Sequence, residues 1–354
     1  PSNANLQWVG RVLQVTDQAY RMDFPGVQVT MVITGTTQLS VLIKGIATDA
    51  LWGVIVDGAI LGYFEGVGED SEAWYTLLNG MSTTQTYTIT LMKLSEVAPR
   101  GAVSEDPNYV TVKGFAADGT FSLSPVPSNT RRMLFIGDQT VAGFSTLNGE
   151  NIAGRTGDCD DTFGISSVYH TWGAAVCRAM EADCQYLGWS GRGVYINRDG
   201  TDGTRLMPDI WTRTLGSTPG VDDYRQTKFT PDVIVLNLGW SDNDAKASNL
   251  ANYKTALTNF ANTLRAQYVS LAPNVRILLT CGPTDQGGTG VTAYCDTVED
   301  IVTELSASSD HFAFANLRLT TTLGGCRDSP MPNWSDNQQI ATNLEPIVRT
   351  IADW

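Results

Sequence analysis

Histidine is nearly absent from this chain: His170 and His311 are the only two in 354 residues. No C-x-x-C pair occurs either, so a Cys/His zinc site has neither its ligands nor its spacing, and no metal or cofactor is expected. No apolar run reaches the ~18 uninterrupted residues of a membrane-spanning helix. The apolar stretch over residues 51–64 is broken by Asp57 and several glycines. Charge is scarce and one-sided: charged residues make up 17%, and the net charge is −14. Such a surface repels phosphate backbones and anionic lipid, which excludes nucleic acid and membrane surfaces as expected partners. Internal repeats and low-complexity tracts are missing as well.

What remains is a chain long enough for two domains, each able to bury its own core. All six cysteines, Cys159, Cys177, Cys184, Cys281, Cys295 and Cys326, lie beyond residue 150. An even number without zinc spacing reads as three disulfides, with 15 possible pairings. Proximity favours Cys177–Cys184 and Cys281–Cys295, which leaves Cys159–Cys326. Disulfides imply an oxidising compartment, and a first residue other than Met reads as a mature terminus after cleavage. A secreted, extracellular protein is therefore expected. One N-glycosylation sequon is present, at Asn333-Trp334-Ser335.

The two halves differ in period. Val27, Val29, Met31 and Ile33 alternate with polar partners, as do Leu39, Val41 and Ile43, then Tyr87, Ile89 and Leu91. Turn signals at Pro25-Gly26, Gly35 and Asn79-Gly80 punctuate these runs, which predicts an all-β, jelly-roll-like sandwich over residues 1–125. Beyond it, short apolar runs at 133–136, 233–237, 275–280 and 312–315 suit strands buried on both faces. Three-and-four spacing predicts helices between and after them: Leu250 to Leu271, Tyr294 to Leu305 and Ile340 to Ile351. Residues 126–354 therefore read as an α/β domain with a parallel sheet covered by helices on both faces.

Chemistry in such a sheet sits at the carboxyl ends of its strands. Four blocks fall there or beside the last helix: Gly137-Asp138-Gln139-Thr140, Gly188-Trp189-Ser190-Gly191-Arg192-Gly193, Gly239-Trp240-Ser241-Asp242, and Asp328-Ser329-Pro330-Met331-Pro332. In this order they resemble the SGNH hydrolases (GDSL-like), and most closely carbohydrate esterase family 2, which deacetylates plant polysaccharides. Trp8-Val9-Gly10-Arg11, Phe24-Pro25-Gly26, Ile55-Val56-Asp57-Gly58 and Lys113-Gly114-Phe115 are similar to landmarks of that family's β-sandwich. Ser190 to Val194 and Met207-Pro208 are similar to landmarks of its catalytic domain.

The resemblance implies a serine nucleophile where this chain has Gln139, and a histidine base where it has Met331. Asp328 stands at the retained acid, Gly191 at a backbone oxyanion donor, and Ser241 where the family has an oxyanion asparagine. Asn243, two residues on, offers a replacement amide. A carboxamide cannot form an acyl-enzyme and a thioether carries no proton at neutral pH. Read this way, the chain is expected to be a pseudoenzyme, a secreted structural or assembly component with self-association or extracellular-matrix partners. Two alternatives stand beside it: a carbohydrate-binding protein using the old cleft, and an active O-acetyl esterase with relocated catalytic residues. Trp189, Trp240 and Trp334 are candidate sugar contacts, with burial in the core or plugging of the cleft as the competing reading.

Overall fold

The computed structural model describes residues 3–46, 50–97, 107–148, 164–200, 205–220, 224, 226–244, 249–283, 289–326 and 331–354. The chain begins with eleven strands: β1 (Leu6–Val9), β2 (Leu13–Thr16), β3 (Ala19–Met22), β4 (Gln28–Thr34), β5 (Gln38–Gly45), β6 (Ala50–Val56), β7 (Ala59–Gly66), β8 (Glu72–Asn79), β9 (Thr86–Lys93), β10 (Val110–Ala117) and β11 (Ser122–Ser124). They form two antiparallel sheets. One runs β1-β4-β9-β6-β7 with β11 beside β4, and the other runs β2-β3-β10-β5-β8. The alternation seen in sequence becomes the core: Val29, Met31 and Ile33 from β4, Val41 and Ile43 from β5, and Ile89 and Leu91 from β9 are all buried.

The second half alternates strand and helix. It contains β12 (Arg131–Gly137), α1 (Gln139–Ala142), α2 (Trp172–Ala179), β13 (Ala182–Gly188), α3 (Met207–Ile210), β14 (Val233–Asn237), α4 (Trp240–Asp244), α5 (Leu250–Tyr268), β15 (Arg276–Cys281), α6 (Thr289–Ser306), β16 (Phe312–Asn316) and α7 (Trp334–Ala352). The five strands are parallel, in the order β13-β12-β14-β15-β16. Both faces are apolar because successive residues point to opposite sides. Leu134, Ile136, Ile234, Leu236, Ile277 and Leu279 share one core with Tyr253, Leu257, Phe260 and Leu264 of α5. Met133, Phe135, Val233, Val235 and Leu278 share the other with Ile340, Leu344 and Val348 of α7. Asn333 starts α7 by accepting the amide of Asp336 at 3.0 Å, while Asp336 Oδ2 accepts the amide of Asn333 at 3.0 Å, a reciprocal cap.

Strand β13 carries too little periodicity to be read from sequence, whereas Trp172 and Val176 give α2 a buried face, and the disulfide Cys177–Cys184 ties the ends of the two elements together. Cys281–Cys295 joins β15 to α6. Cys326 is disulfide-bonded too, and Cys159 lies outside the described residues.

The β-sandwich is bolted to the α/β domain by buried polar groups. The Arg11 guanidinium donates to the carbonyls of Trp211 and Arg213, the latter at 2.6 Å, and lies 4.3 Å from the Tyr224 ring centre. Burial lowers its pKa to about 10. Asp23 Oδ2 accepts the Ser217 amide and hydroxyl at 2.8 and 2.9 Å. Glu96 Oε2 accepts the Ser190 amide at 2.9 Å. Gly26 lies against Tyr186, where a Cβ would come within 2.3 Å of the ring. These contacts explain why Trp8–Arg11 and Phe24–Gly26 stand out in the sequence. Removing the Arg11 side chain strands two buried carbonyls and opens a void, so Arg11→Ala is expected to destabilise the chain by ~3–5 kcal/mol in denaturant unfolding.

Candidate active site

Strand order reverses between β12 and β14: the chain leaves β12 to one side for β13, then returns to the other side for β14. In open α/β sheets such a switch point opens a crevice at the strands' carboxyl ends. Here the backbone following β12 is Asp138-Gln139, and that following β14 is Leu238-Gly239-Trp240-Ser241. The first and third blocks therefore meet. The Ser241 amide donates to Asp138 Oδ2 at 3.1 Å, and the Ser241 hydroxyl donates to Gln139 Oε1 at 3.1 Å. Gln139 and Ser241 thus satisfy one another, and both are buried.

Beneath them Asn237 organises the strand ends. Its Oδ1 accepts the Thr140 hydroxyl, and its Nδ2 donates to Thr280 Oγ1 at 2.7 Å and to the Gly282 carbonyl at 2.6 Å. Asp242 ties in the second block. Its carboxylate accepts the amides of Val194, Tyr195 and Ile196 at 2.9–3.1 Å, which fixes the loop after Gly191. Burial still raises Asp242 to about 6. Neither the Asn237 network nor the Asp242 clamp was read from the sequence. The only signals were an asparagine ending an apolar strand and the acid that closes the third block.

A cavity of about 30 Å³ opens at this point, lined by Asp138, Trp240, Asn243, Tyr253 and Pro283 among others, which is room for one or two waters. Asp138 Oδ1 makes no hydrogen bond of good geometry, and neither does the buried Trp240 Nε1. Burial pushes Asp138 up to about 7, against the lowering effect of the Ser241, Thr140 and Trp240 amides. Asn243, the alternative amide, does line this cavity.

Met331 is fully buried with Phe144, Ile165 and Cys326, with Trp240 packed against the group. Asp328 lies outside the described residues. Trp189 is a correction: at 0% exposure, with Arg192 over its ring at 4.2 Å and Phe24 and Trp189 closing around Gly216, it belongs to the core and cannot touch a sugar. Trp240 is half-buried at the cavity, and Trp334 is 40% exposed at the start of α7. The sequon gains no support, because the Asn333 side chain is spent as the α7 cap and its Nδ2 packs against Gly324. Ser145, the serine nearest the first block, is buried at φ 68° and accepts the Cys326 amide at 2.9 Å.

His170 lies in a 3₁₀ turn before α2, with Nδ1 2.9 Å from Ser167 Oγ and Nε2 3.2 Å from the Tyr63 hydroxyl. Both Ser167 and His170 are sealed from solvent, and burial lowers His170 to about 3, so it stays neutral. His311 precedes β16 at the amino end of the sheet, 3.0 Å from an Arg265 nitrogen.

Because Asp138 is raised in the folded state, the fold binds a proton that the unfolded chain releases above pH ~4. Its contribution therefore weakens stability as pH rises from about 4 to about 7. Asp138→Asn is expected to flatten that part of the stability–pH curve, measured as unfolding midpoints across pH 4–8. An unchanged curve would place the proton elsewhere.

Known proteins share this architecture. Residues 8–127 match the family model for the carbohydrate esterase 2 N-terminal domain. The chain is 24% identical over 245 residues to an acetylxylan esterase / glucomannan deacetylase of Cellvibrio japonicus, covering 69% of this chain and 64% of that protein. It spans less than two thirds of the length of the curated relatives it matches. A family two carbohydrate esterase from Clostridium thermocellum, solved in complex with cellohexaose, superposes with a TM-score of 0.83 at 21% identity over 99% of both chains. A family two esterase from Cellvibrio japonicus gives 0.83 at 21%, covering 100% of this chain and 97% of its own. These relatives and neighbours are carbohydrate esterases, which overturns the expectation of a non-enzymatic structural or assembly component; none of them points to self-association or a matrix partner. Residues 8–127 are a carbohydrate esterase 2 N-terminal domain, and the chain as a whole has the two-domain, SGNH-hydrolase fold of the family 2 carbohydrate esterases.

Proposed function

We propose that the chain recognises O-acetylated plant polysaccharide at the carboxyl ends of β12 and β14. The observation that carries this reading is the unmatched pair at the cavity, an acceptor at Asp138 Oδ1 and a donor at Trp240 Nε1. A sugar hydroxyl or an acetyl carbonyl supplies the missing partners, and the half-buried indole offers a face for a pyranose ring. The relatives named for acetylxylan and glucomannan supply the substrate class, and cellohexaose in the C. thermocellum esterase supports a β-linked glycan. Such a ligand lies outside the cell, in keeping with the disulfides. Affinity electrophoresis should show retardation by acetylated xylan or glucomannan, weakened about tenfold by Trp240→Ala. Unretarded migration in every polymer sinks the reading.

A second reading, ester hydrolysis, is favoured by the titration of Asp138. With Gln139 and Met331 at the family's nucleophile and base positions, Asp138 is the group lining this cavity that can exchange a proton near neutral pH. In this reading water attacks the acetyl carbonyl while the Asp138 carboxylate takes its proton. Trp240 Nε1 donates to the developing oxyanion, and the tetrahedral intermediate expels the sugar oxygen, which receives that proton back from Asp138. The products are the free sugar hydroxyl and acetic acid. A base must be ionised, so kcat/KM for acetate release should rise as pH increases through about 7 and fall at least 100-fold in Asp138→Asn. Release that is indifferent to this substitution rules the mechanism out.

A further inference from the structure

At the opposite end of the parallel sheet, where β1 and β3 of the sandwich approach edge strand β13, lies a separate cleft of about 430 Å³, within the ~300–1,000 Å³ range of ligand pockets. From Arg132, at its rim, to Asp138 is about 20 Å along β12 at ~3.3 Å per residue. The cleft is therefore distinct from the cavity described above. One wall is the ring pair Trp8–Tyr20, stacked with centroids 4.8 Å apart and planes inclined by 22°. Asp183, Gln14 and Lys228 contribute polar groups around it.

Gln185 is the informative residue. It shares its face of β13 with Leu187, an apolar core position, and is only 3% exposed. Its Nε2 donates to the Tyr224 hydroxyl at 2.8 Å, while its Oε1 has no partner. An unmet amide acceptor at a buried position is costly, because the group has given up its water without gaining a partner. The residue lines the cleft, so a hydroxyl entering there would satisfy it. A stacked aromatic wall, amide and carboxylate acceptors and a cation together suit a ligand rich in hydroxyls. Asp183, Arg132 and Lys228 all line the cleft, so no single sign of charge converges on the space, which favours a neutral ligand.

We propose that this cleft is a second carbohydrate-binding site, taking a short stretch of neutral polysaccharide with the Trp8–Tyr20 pair as its stacking wall and Gln185 Oε1 as the acceptor of a sugar hydroxyl. The choice of carbohydrate draws on the function proposed above, whereas the site rests on its own residues. Calorimetric titration of the full chain with cello-, xylo- and mannohexaose tests it, comparing wild type with Trp8→Ala, Gln14→Ala and Trp240→Ala. Gln14 is exposed, so its variant keeps the test valid if Trp8→Ala does not fold. The expected result is a class of sites weakened about fivefold or more by Trp8→Ala, measurably by Gln14→Ala, and not by Trp240→Ala. Binding lost entirely with Trp240→Ala and untouched by the other two overturns the second site and leaves the first standing. Binding of no hexaose by wild type overturns the second site as well, and leaves the first to its own test with acetylated polymer.

Discussion

The carboxyl ends of β12 and β14 impose the constraint around which the α/β domain is arranged. Parallel strands buried on both faces end in backbone and side-chain polar groups that water cannot reach, so the protein must satisfy them itself. Asn237 does most of this by bridging Thr140, Thr280 and Gly282. Asp138, Gln139 and Ser241 close the layer above, and Asp242 pins the loop after β13 with three amides. What the layer leaves unmet, one oxygen and one indole nitrogen beside a small cavity, is where a ligand has most to gain.

The domain interface serves the same end. Arg11, Asp23 and Glu96 reach from the sandwich into loops of the α/β domain, and Glu96 holds the amide of Ser190 in the second block. The loop bearing Gly191 is therefore fixed from two sides, by Glu96 from the sandwich and by Asp242 from beneath. Buried charges of this kind contribute little net stability, but they penalise any other arrangement of the two domains.

The substitutions at Gln139 and Met331 take on a different meaning in three dimensions. In sequence each is the loss of a reactive group. In the structure Gln139 accepts the hydroxyl of Ser241, and Met331 fills an apolar pocket with Phe144, Ile165 and Cys326. Both side chains are buried and packed, whereas Asp138 lines the cavity with a carboxyl that burial raises to about 7. Structural likeness to family two carbohydrate esterases extends along the whole chain and shows that it shares their two-domain fold.

Strand and helix positions in the α/β domain were legible because period 2 and period 3.6 are local properties. β14 spans Val233–Asn237 as read, and the helices around Leu257, Val298 and Leu344 formed where the spacing placed them. The favoured cysteine pairs followed from separation along the chain. β13 escaped because an edge strand carrying Asp183 and Gln185 has little hydrophobic period, whereas the spacing of Trp172 and Val176 does run through α2. The side-chain environments were beyond reach for a different reason: whether Trp189 meets solvent or Phe24, whether Asp138 is ionised, and which acceptor goes unpaired depend on atoms brought together from residues 8, 96, 138, 185 and 241. The sequence determined the order of the elements and the chemistry each residue carries. Only tertiary packing decided which of those groups are desolvated, and desolvation is what sets both a carboxyl's proton affinity and the value of an unmet hydrogen bond.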